Sequence, residues 1–151
     1  MSNVTTMAVR ITNLDALAQA CAKLGLEFVR DQQTYRWHGT DSPNRYVTPP
    51  PGFTQEELGR CLHAIRIPGQ PEAYEIGVVE RRDGEEGYTL LWDAWRGGFG
   101  LQDMIGENAS LLNYHYSIEQ LKLDVEALGD SVVLEEYQPD GSCLVRVVTG
   151  A

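Results

Sequence analysis

Apolar residues recur at helical spacing in two stretches of the chain. Residues three and four apart share one face of an α-helix, and glycine is the usual left-handed residue directly after a helix. The first stretch ends at Gly25, and the second runs from Ser110 to Leu128 and ends at Gly129. The pattern therefore predicts two amphipathic helices. It places three residues of the second helix on its buried face: Leu121, Val125 and Leu128.

Alternating apolar and polar positions predict the strands. The clearest signal is a hairpin within residues 74–95, whose turn at Arg82–Gly87 contains Asp83-Gly84. A second hairpin closes around Pro139-Asp140-Gly141. Short turns of this kind join antiparallel strands. We therefore expect an α+β fold in which two main helices pack on an antiparallel sheet. The other predicted strands are residues 7–11 and 64–67 and a strand pair formed by 26–28 and 35–37.

One part of the pattern occurs twice. Leu17–Gly25 and Leu121–Gly129 share the same spacing, and each is followed by two strand-like runs. A duplicated helix–strand–strand unit is one interpretation, and the alternative is that any amphipathic helix ending in Leu-Gly has this appearance. The 151 residues suit one domain spanning 1–151. Four prolines with little apolar periodicity predict a proline-rich loop at 39–53.

Charge excludes one class of function. The chain has 22 acidic against 12 basic side chains, a formal net charge of −10. Residues 1–75 hold 8 acidic and 7 basic groups, whereas residues 76–151 hold 14 and 5. Binding to a phosphate backbone needs Lys and Arg, so no direct nucleic-acid binding is expected. The acidic half suits a solvated surface or, alternatively, a face for a basic partner.

The sequence offers no sign of a membrane segment or of export. No apolar run approaches the ~18 residues that a membrane span needs, and no charged leader precedes an apolar stretch. Three well-separated cysteines, Cys21, Cys61 and Cys143, do not form a disulfide framework. We expect a cytoplasmic protein with free thiols and no membrane association.

Motifs for metal binding and catalysis are missing from the sequence. Cys61-x-His63 is the only close Cys/His pair, whereas structural zinc needs four ligands. Nucleophile elbows, Ser-x-x-Lys motifs and phosphate-binding loops are absent, and Gly97-Gly98-Phe99-Gly100 fits a turn between a strand and a helix. We therefore expect no metal and no cofactor. A function other than catalysis is favoured, with an enzyme left as an alternative.

The most unusual segment is Leu90–Arg96. Side chains alternate along a strand, so Trp92 shares the Leu90 face whereas Asp93 and Trp95 point the other way. A carboxylate in an apolar strand must be paired or hydrogen-bonded. One interpretation is a recognition site made of Trp95, Asp93 and Tyr74. The alternative is that Asp93 is structural, either pairing with Arg96 or capping the glycine turn.

These residues resemble the hypothetical chloroplast reading frame thirty-five family of small proteins from plastids, cyanobacteria, other bacteria and phages. The resemblance rests on Tyr74–Val79, Leu90-Leu91-Trp92-Asp93-x-Trp95, Leu111-Leu112-x-Tyr114 and Gly129 with the final hairpin. It covers Cys61–Val148 well and Met7–Val29 more loosely, and Gly39–Phe53 is more similar to the phage members. It carries over no catalytic residue. Because members are often encoded beside AAA-type ATPases, the resemblance implies an accessory or adaptor role.

Three functional hypotheses follow. The first is a protein-interaction or adaptor module of phage or bacterial origin, with an AAA-type ATPase or a host defence protein as its partner. The second is an acidic inhibitor that mimics DNA and blocks a nucleic-acid-binding defence protein of the host. The third is a small-ligand binder or enzyme around Asp93.

Overall fold

A five-stranded antiparallel sheet forms the centre of the fold, in the strand order β1-β5-β4-β3-β2. The computed structural model describes residues 4–6, 10–43 and 46–149. The sheet strands are β1 (Val4–Thr6), β2 (Glu27–Arg30), β3 (His63–Arg66), β4 (Ile76–Glu80) and β5 (Tyr88–Asp93). A separate two-stranded sheet consists of β6 (Ser131–Tyr137) and β7 (Cys143–Val148).

Four α-helices accompany the sheets within the described ranges: α1 (Leu14–Lys23), α2 (His38–Asp41), α3 (Leu101–Ile105) and α4 (Ser110–Ala127). The α+β prediction is confirmed, as are both hairpins and both long helices. Gly25 has φ +76°, as expected of the residue that ends a helix. Of the predicted strand at residues 7–11, positions 7–9 lie outside the described residues, and Ile11 forms an isolated bridge to Tyr88.

The central sheet is buried on both faces. On the first face, Leu90 and Trp92 of β5 pack in one core with α1 and α4. On the second face, Leu91 packs in another core that the segment between β2 and β3 supplies with aromatic side chains. Because side chains alternate along β5, Asp93 lies on the Leu91 face. The prediction that Trp92 is a core residue facing away from Asp93 is confirmed.

The predicted strand pair of residues 26–28 with 35–37 is wrong. Strand β2 pairs with β3, whereas residues 35–37 cross the second face of the sheet. Gly77 explains the path, because its missing side chain leaves room for the ring of Tyr35. The proline-rich stretch at 39–53 is more than a surface loop, since Val47 and Phe53 are buried in the second core.

Helix α4 buries a face that matches the predicted one only in part. Leu121 is 45% exposed and Leu128 79% exposed, and only Val125 of the predicted trio is buried. Leu112 and Tyr116 face the core, and Glu119 is buried beside them with Lys122 Nζ 3.2 Å from its Oε1. Apolar spacing identified the helix correctly, but it could not show that a polar residue occupies a buried position.

The duplicated unit is not confirmed. Strands β2 and β3 belong to the five-stranded sheet, and β3 also pairs with β4. Strands β6 and β7 pair only with each other in the described part of the chain. Within the same ranges, no helix has both the length and the apolarity that crossing a membrane requires.

Leu121→Ala is expected to change the free energy of unfolding by no more than about 0.5 kcal/mol, because the removed atoms already contact solvent. Leu112→Ala, on the buried side of the same helix, is the positive control. Urea denaturation of both variants measures the difference. A loss from Leu121→Ala as large as that from Leu112→Ala would contradict the observed burial.

Candidate functional site

A left-handed turn follows β5 and carries the large aromatic side chains of Trp95 and Phe99. Within Trp95–Gly100, the four residues from Arg96 to Phe99 have φ between +52° and +66°. We call Trp95–Gly100 the aromatic turn. Glycine adopts this conformation freely, whereas each other residue loses roughly 1–2 kcal/mol there. Arg96 and Phe99 are therefore strained, and strain of this kind concentrates at functional sites.

Tertiary contacts hold the aromatic turn in place. The backbone N–H of Tyr74 donates to the carbonyl of Gly98, 2.9 Å away. A side chain at Gly98 would meet the Cβ of Leu101 at 2.9 Å, so that position requires glycine. The turn was predicted from its glycines, but these contacts make it a fixed element.

Asp93 links the aromatic turn to helix α2 through hydrogen bonds. Its side chain is completely buried. Oδ1 accepts a hydrogen bond from the backbone N–H of Trp95 at 3.0 Å, and Oδ2 accepts one from the backbone N–H of His38 at 3.1 Å. The carboxylate thus joins the end of β5 to the first turn of α2. The contact with Trp95 fits the predicted alternative in which Asp93 caps the glycine turn, whereas the contact with His38 was not predicted.

Aromatic side chains meet around Phe99. Its ring centroid lies 5.0 Å from that of Tyr74 and 5.9 Å from that of Trp95, and both pairs are edge-to-face. The imidazole of His38 contacts the other side of Trp95, with 5.0 Å between ring centroids. The structure therefore brings the predicted residues Trp95, Asp93 and Tyr74 together in one cluster.

The members of the cluster differ in their access to solvent. Tyr74 and Asp93 are buried, Trp95 is half-buried and Phe99 is 44% exposed. The guanidinium of Arg96 is exposed and lies 4.9 Å from the centroid of the Trp95 ring. The surface that a partner can touch thus consists of Trp95, Arg96 and Phe99, and the two buried residues support it.

Three residues of this cluster were not predicted from the sequence: Phe99, Arg96 as a stacking partner, and His38. Phe99 was hidden in a glycine-rich stretch that predicts only a turn. A large aromatic residue between glycines was the one available signal, since loops rarely bury such a side chain completely. His38 lies 55 positions from Asp93, and no local pattern links the two.

Burial changes the acidity of the hydroxyl next to Asp93. Desolvation is the main cause, and together with the negative charges of Asp93 and Asp41 it raises the pKa of Tyr74 to about 12. The hydroxyl therefore stays protonated at neutral pH and is available as a hydrogen-bond donor. Asp41 is itself held by Arg36, whose Nη1 is 3.0 Å from its Oδ1.

The raised pKa of Tyr74 makes folding sensitive to alkali. An unfolded tyrosine loses its proton near pH 10, whereas folded Tyr74 retains it to about 12. The folded state therefore binds more protons between these values, and stability falls as pH rises through that window. Tyr74→Phe keeps the ring contact and is expected to make the decline shallower. Denaturation midpoints measured from pH 9 to 12 test this, and identical slopes for the two proteins would contradict it.

The described residues offer no metal site, since no three His, Cys, Asp or Glu side chains among them come together. The two members of the Cys61-x-His63 pair have separate partners. Sγ of Cys61 donates to the carbonyl of Gln32, and Nδ1 of His63 accepts from the backbone N–H of Asp31.

A shallow groove of about 440 Å³ lies near this region, between residues 34–37, Thr40, residues 58–60 and Glu75. Oε1 of Glu75 accepts hydrogen bonds from the backbone N–H of Arg36 at 2.8 Å and from Nε2 of Gln32 at 3.2 Å. The carboxylate is thus engaged with its own chain, and it shapes the wall of the groove.

Comparison with family models, with curated proteins and with solved structures finds no match for the chain. The resemblance to the chloroplast reading frame thirty-five family therefore stays a prediction.

Proposed function

We propose that the chain is a protein-interaction module that contacts its partner through the aromatic turn. The observation that carries this proposal is the presentation of Trp95, Arg96 and Phe99 on a strained backbone that a buried carboxylate anchors. Tryptophan and arginine are the residues most enriched among those that dominate binding energy, and phenylalanine is enriched at interfaces.

The anchored backbone favours tight binding. A flexible loop loses conformational entropy when it binds, whereas a loop already held in its bound shape loses little. Asp93 and Tyr74 hold the aromatic turn before any partner arrives. The matching surface on a partner is an apolar pocket for the two rings with a carboxylate beside it for Arg96. An AAA-type ATPase or a host defence protein remains the class of partner that the sequence resemblance and the acidic charge imply.

The alternative of a DNA mimic has less support from the side-chain contacts. Oε2 of Glu85 lies 3.9 Å from Arg10. Glu135 is bound by Lys122 at 2.8 Å and by the hydroxyl of Tyr137 at 2.6 Å. Of the four carboxylates in the adjacent pairs Glu85-Glu86 and Glu135-Glu136, two are therefore partly neutralised by their own chain. Binding by charge mimicry would weaken more than about a hundredfold between low and physiological salt, whereas binding through the aromatic turn depends on salt only modestly.

One observation favours the alternative of a small-ligand binder. The hydroxyl of Tyr35 and Nε2 of His38 are buried and have no hydrogen-bond partner among the described residues. Buried polar atoms normally have one. However, Asp93 is inaccessible and already accepts two backbone hydrogen bonds, so a substrate could reach it only if the aromatic turn opened.

Affinity capture from the cells that naturally contain the chain tests the proposal. Immobilised wild-type protein is compared with Trp95→Ala/Phe99→Ala and with Tyr46→Ala, which removes a 73% exposed aromatic side chain elsewhere. We expect mass spectrometry to find a protein that wild type and Tyr46→Ala retain and that the double variant loses. If the folded double variant captures the same proteins as wild type, the proposal is wrong.

A further inference from the structure

Exposed apolar side chains concentrate in the C-terminal elements of the chain. Among the described residues, ten large apolar side chains are exposed, and seven of them belong to α4, the residue after it and the β6–β7 hairpin. This is also the acidic half of the chain, in which charge would be expected to keep the surface polar. The seven are Leu111, Leu121, Leu128, Tyr137, Leu144, Val147 and Val148.

The outer edge of β7 has none of the usual protection against pairing. Within the described ranges, β7 has β6 as its only strand neighbour. Its sequence, Cys-Leu-Val-Arg-Val-Val, contains no proline, glycine or acidic residue. The hairpin has one shift in strand register, and it lies on β6, between Val132 and Leu134. Natural edge strands usually carry a proline, a bulge or an inward-pointing charge, and an isolated hairpin is only marginally stable in water.

The turn of the hairpin shows which backbone groups of β7 point outward. Gln138 N–H donates to the carbonyl of Ser142 at 2.8 Å, and Gly141 N–H donates to the carbonyl of Gln138 at 3.0 Å. Hydrogen-bonded and non-bonded pairs alternate along an antiparallel ladder from such a closing pair. The N–H and C=O groups of Cys143, Val145 and Val147 therefore face away from β6.

We propose that β7 pairs with β7 of a second copy of this chain, antiparallel and with Val145 opposite Val145 of the second copy. The outward-facing residues of β7 have odd numbers. Outward N–H groups therefore meet outward carbonyls only in a register that places an odd-numbered residue of one copy opposite an odd-numbered residue of the other. It places Cys143 opposite Val147 and Leu144 opposite Arg146 of the second copy. The two hairpins then form one four-stranded sheet around a twofold axis, as is usual for homodimers.

Charge complementarity selects this edge and this occupant. Each copy carries a net charge of −10, so repulsion between two copies is least along a segment free of acidic side chains. Strand β6 carries Glu135 and Glu136, whereas Arg146 is the only charged residue of β7. In the proposed register, Arg146 lies opposite Leu144 of the second copy. Glu136 pairs with Leu144 within each hairpin, so it has Arg146 of its own chain on the diagonal and Arg146 of the second copy beyond Leu144 on the same face.

A cysteine cross-link tests the register in the full-length chain. Cα atoms of a hydrogen-bonded antiparallel pair lie ~5.5 Å apart, a distance that suits a disulfide. Val147→Cys in a Cys61→Ser background is expected to form a disulfide with Cys143 of the second copy under oxidised glutathione. Four positions along one strand span ~13 Å, so Cys143 and the new cysteine cannot bridge within one chain. Val148→Cys in the same background is the matched control, because its side chain points to the other face.

Sedimentation equilibrium of the wild-type chain gives the second readout. We expect a reversible monomer–dimer equilibrium, at least about tenfold weaker dimerisation for Arg146→Glu, and recovery for Arg146→Glu/Glu136→Arg. Circular dichroism identifies any variant that fails to fold. Because the charge-swapped pair also restores the contact within one hairpin, the cross-link decides between the two. A wild-type chain that stays monomeric up to millimolar concentration overturns the proposal. Equal cross-linking of Val147→Cys and Val148→Cys, or binding of β7 by a different protein in place of a second copy, overturns it as well. The surface shares no residue with the aromatic turn, so this proposal and the proposed function can fail independently.

Discussion

Replacing Asp93 by alanine is expected to lower the free energy of unfolding by about 2–4 kcal/mol. The substitution removes the acceptor for two backbone donors, the N–H groups of Trp95 and His38. A buried donor left without a partner costs roughly 1–3 kcal/mol. Because these donors lie on the aromatic turn and on α2, their loss also separates the two elements that the carboxylate joins.

Chemical denaturation followed by the fluorescence of the three tryptophans measures this effect. Asp93→Asn keeps one acceptor oxygen and the shape of the side chain, so it is expected to lose less stability than Asp93→Ala. Asp103→Ala, at an exposed position in α3, is the control and is expected to have little effect. Wild-type stability in Asp93→Ala would show that the two hydrogen bonds do not hold the turn.

Gly77→Ala is expected to destabilise the fold by about 1–3 kcal/mol, the usual range for overpacking a core. A Cβ at this position would lie 2.5 Å from Cδ1 of Tyr35 and 3.1 Å from Cβ of Cys61. Tyr35 is almost fully buried in the second core, so moving its ring would disturb the packing there. The effect is steric, because Gly77 does not have a positive φ.

A double-mutant cycle isolates the contact between Gly77 and Tyr35. Tyr35→Leu removes the ring that the new methyl group would strike, so Gly77→Ala is expected to cost less in that background than in wild type. Thermal unfolding of the four proteins gives the coupling free energy. Equal costs in the two backgrounds would show that residues 35–37 do not pack on β4 as observed.

Local patterns were sufficient for the elements that local interactions specify. The turn containing Asp83-Gly84 and the glycine stops at Gly25 and Gly129 were read directly from the sequence, because turn and cap conformations depend on a few neighbouring residues. Burial of individual faces was harder to predict. Leu121 was assigned to the core by its spacing, yet the buried position nearby belongs to Glu119, whose charge is compensated by Lys122.

Long-range contacts explain the remaining errors. Tyr35 and Trp37 alternate like strand residues, but Tyr35 lies over Gly77 and Trp37 over Gly39 and Gly59. Periodicity depends only on neighbouring residues, so it cannot predict that a glycine far away in the sequence leaves space for a side chain. Part of the candidate site was predicted, because Asp93 and Trp95 stand out in an apolar strand. Phe99 was missed because its glycine neighbours predict only flexibility.

The central claim is that the strained aromatic turn is retained for recognition. Arg96→Gly tests it most directly, by measuring the free energy of unfolding and the affinity for the captured partner on the same protein. Glycine relieves the left-handed strain at φ +52° but is itself more flexible when unfolded, so a net gain of about 0.5–1 kcal/mol in stability is expected. Affinity is expected to fall about tenfold or more, because the guanidinium stacked on Trp95 is lost. A variant that gains stability and binds its partner as tightly as wild type would contradict the account.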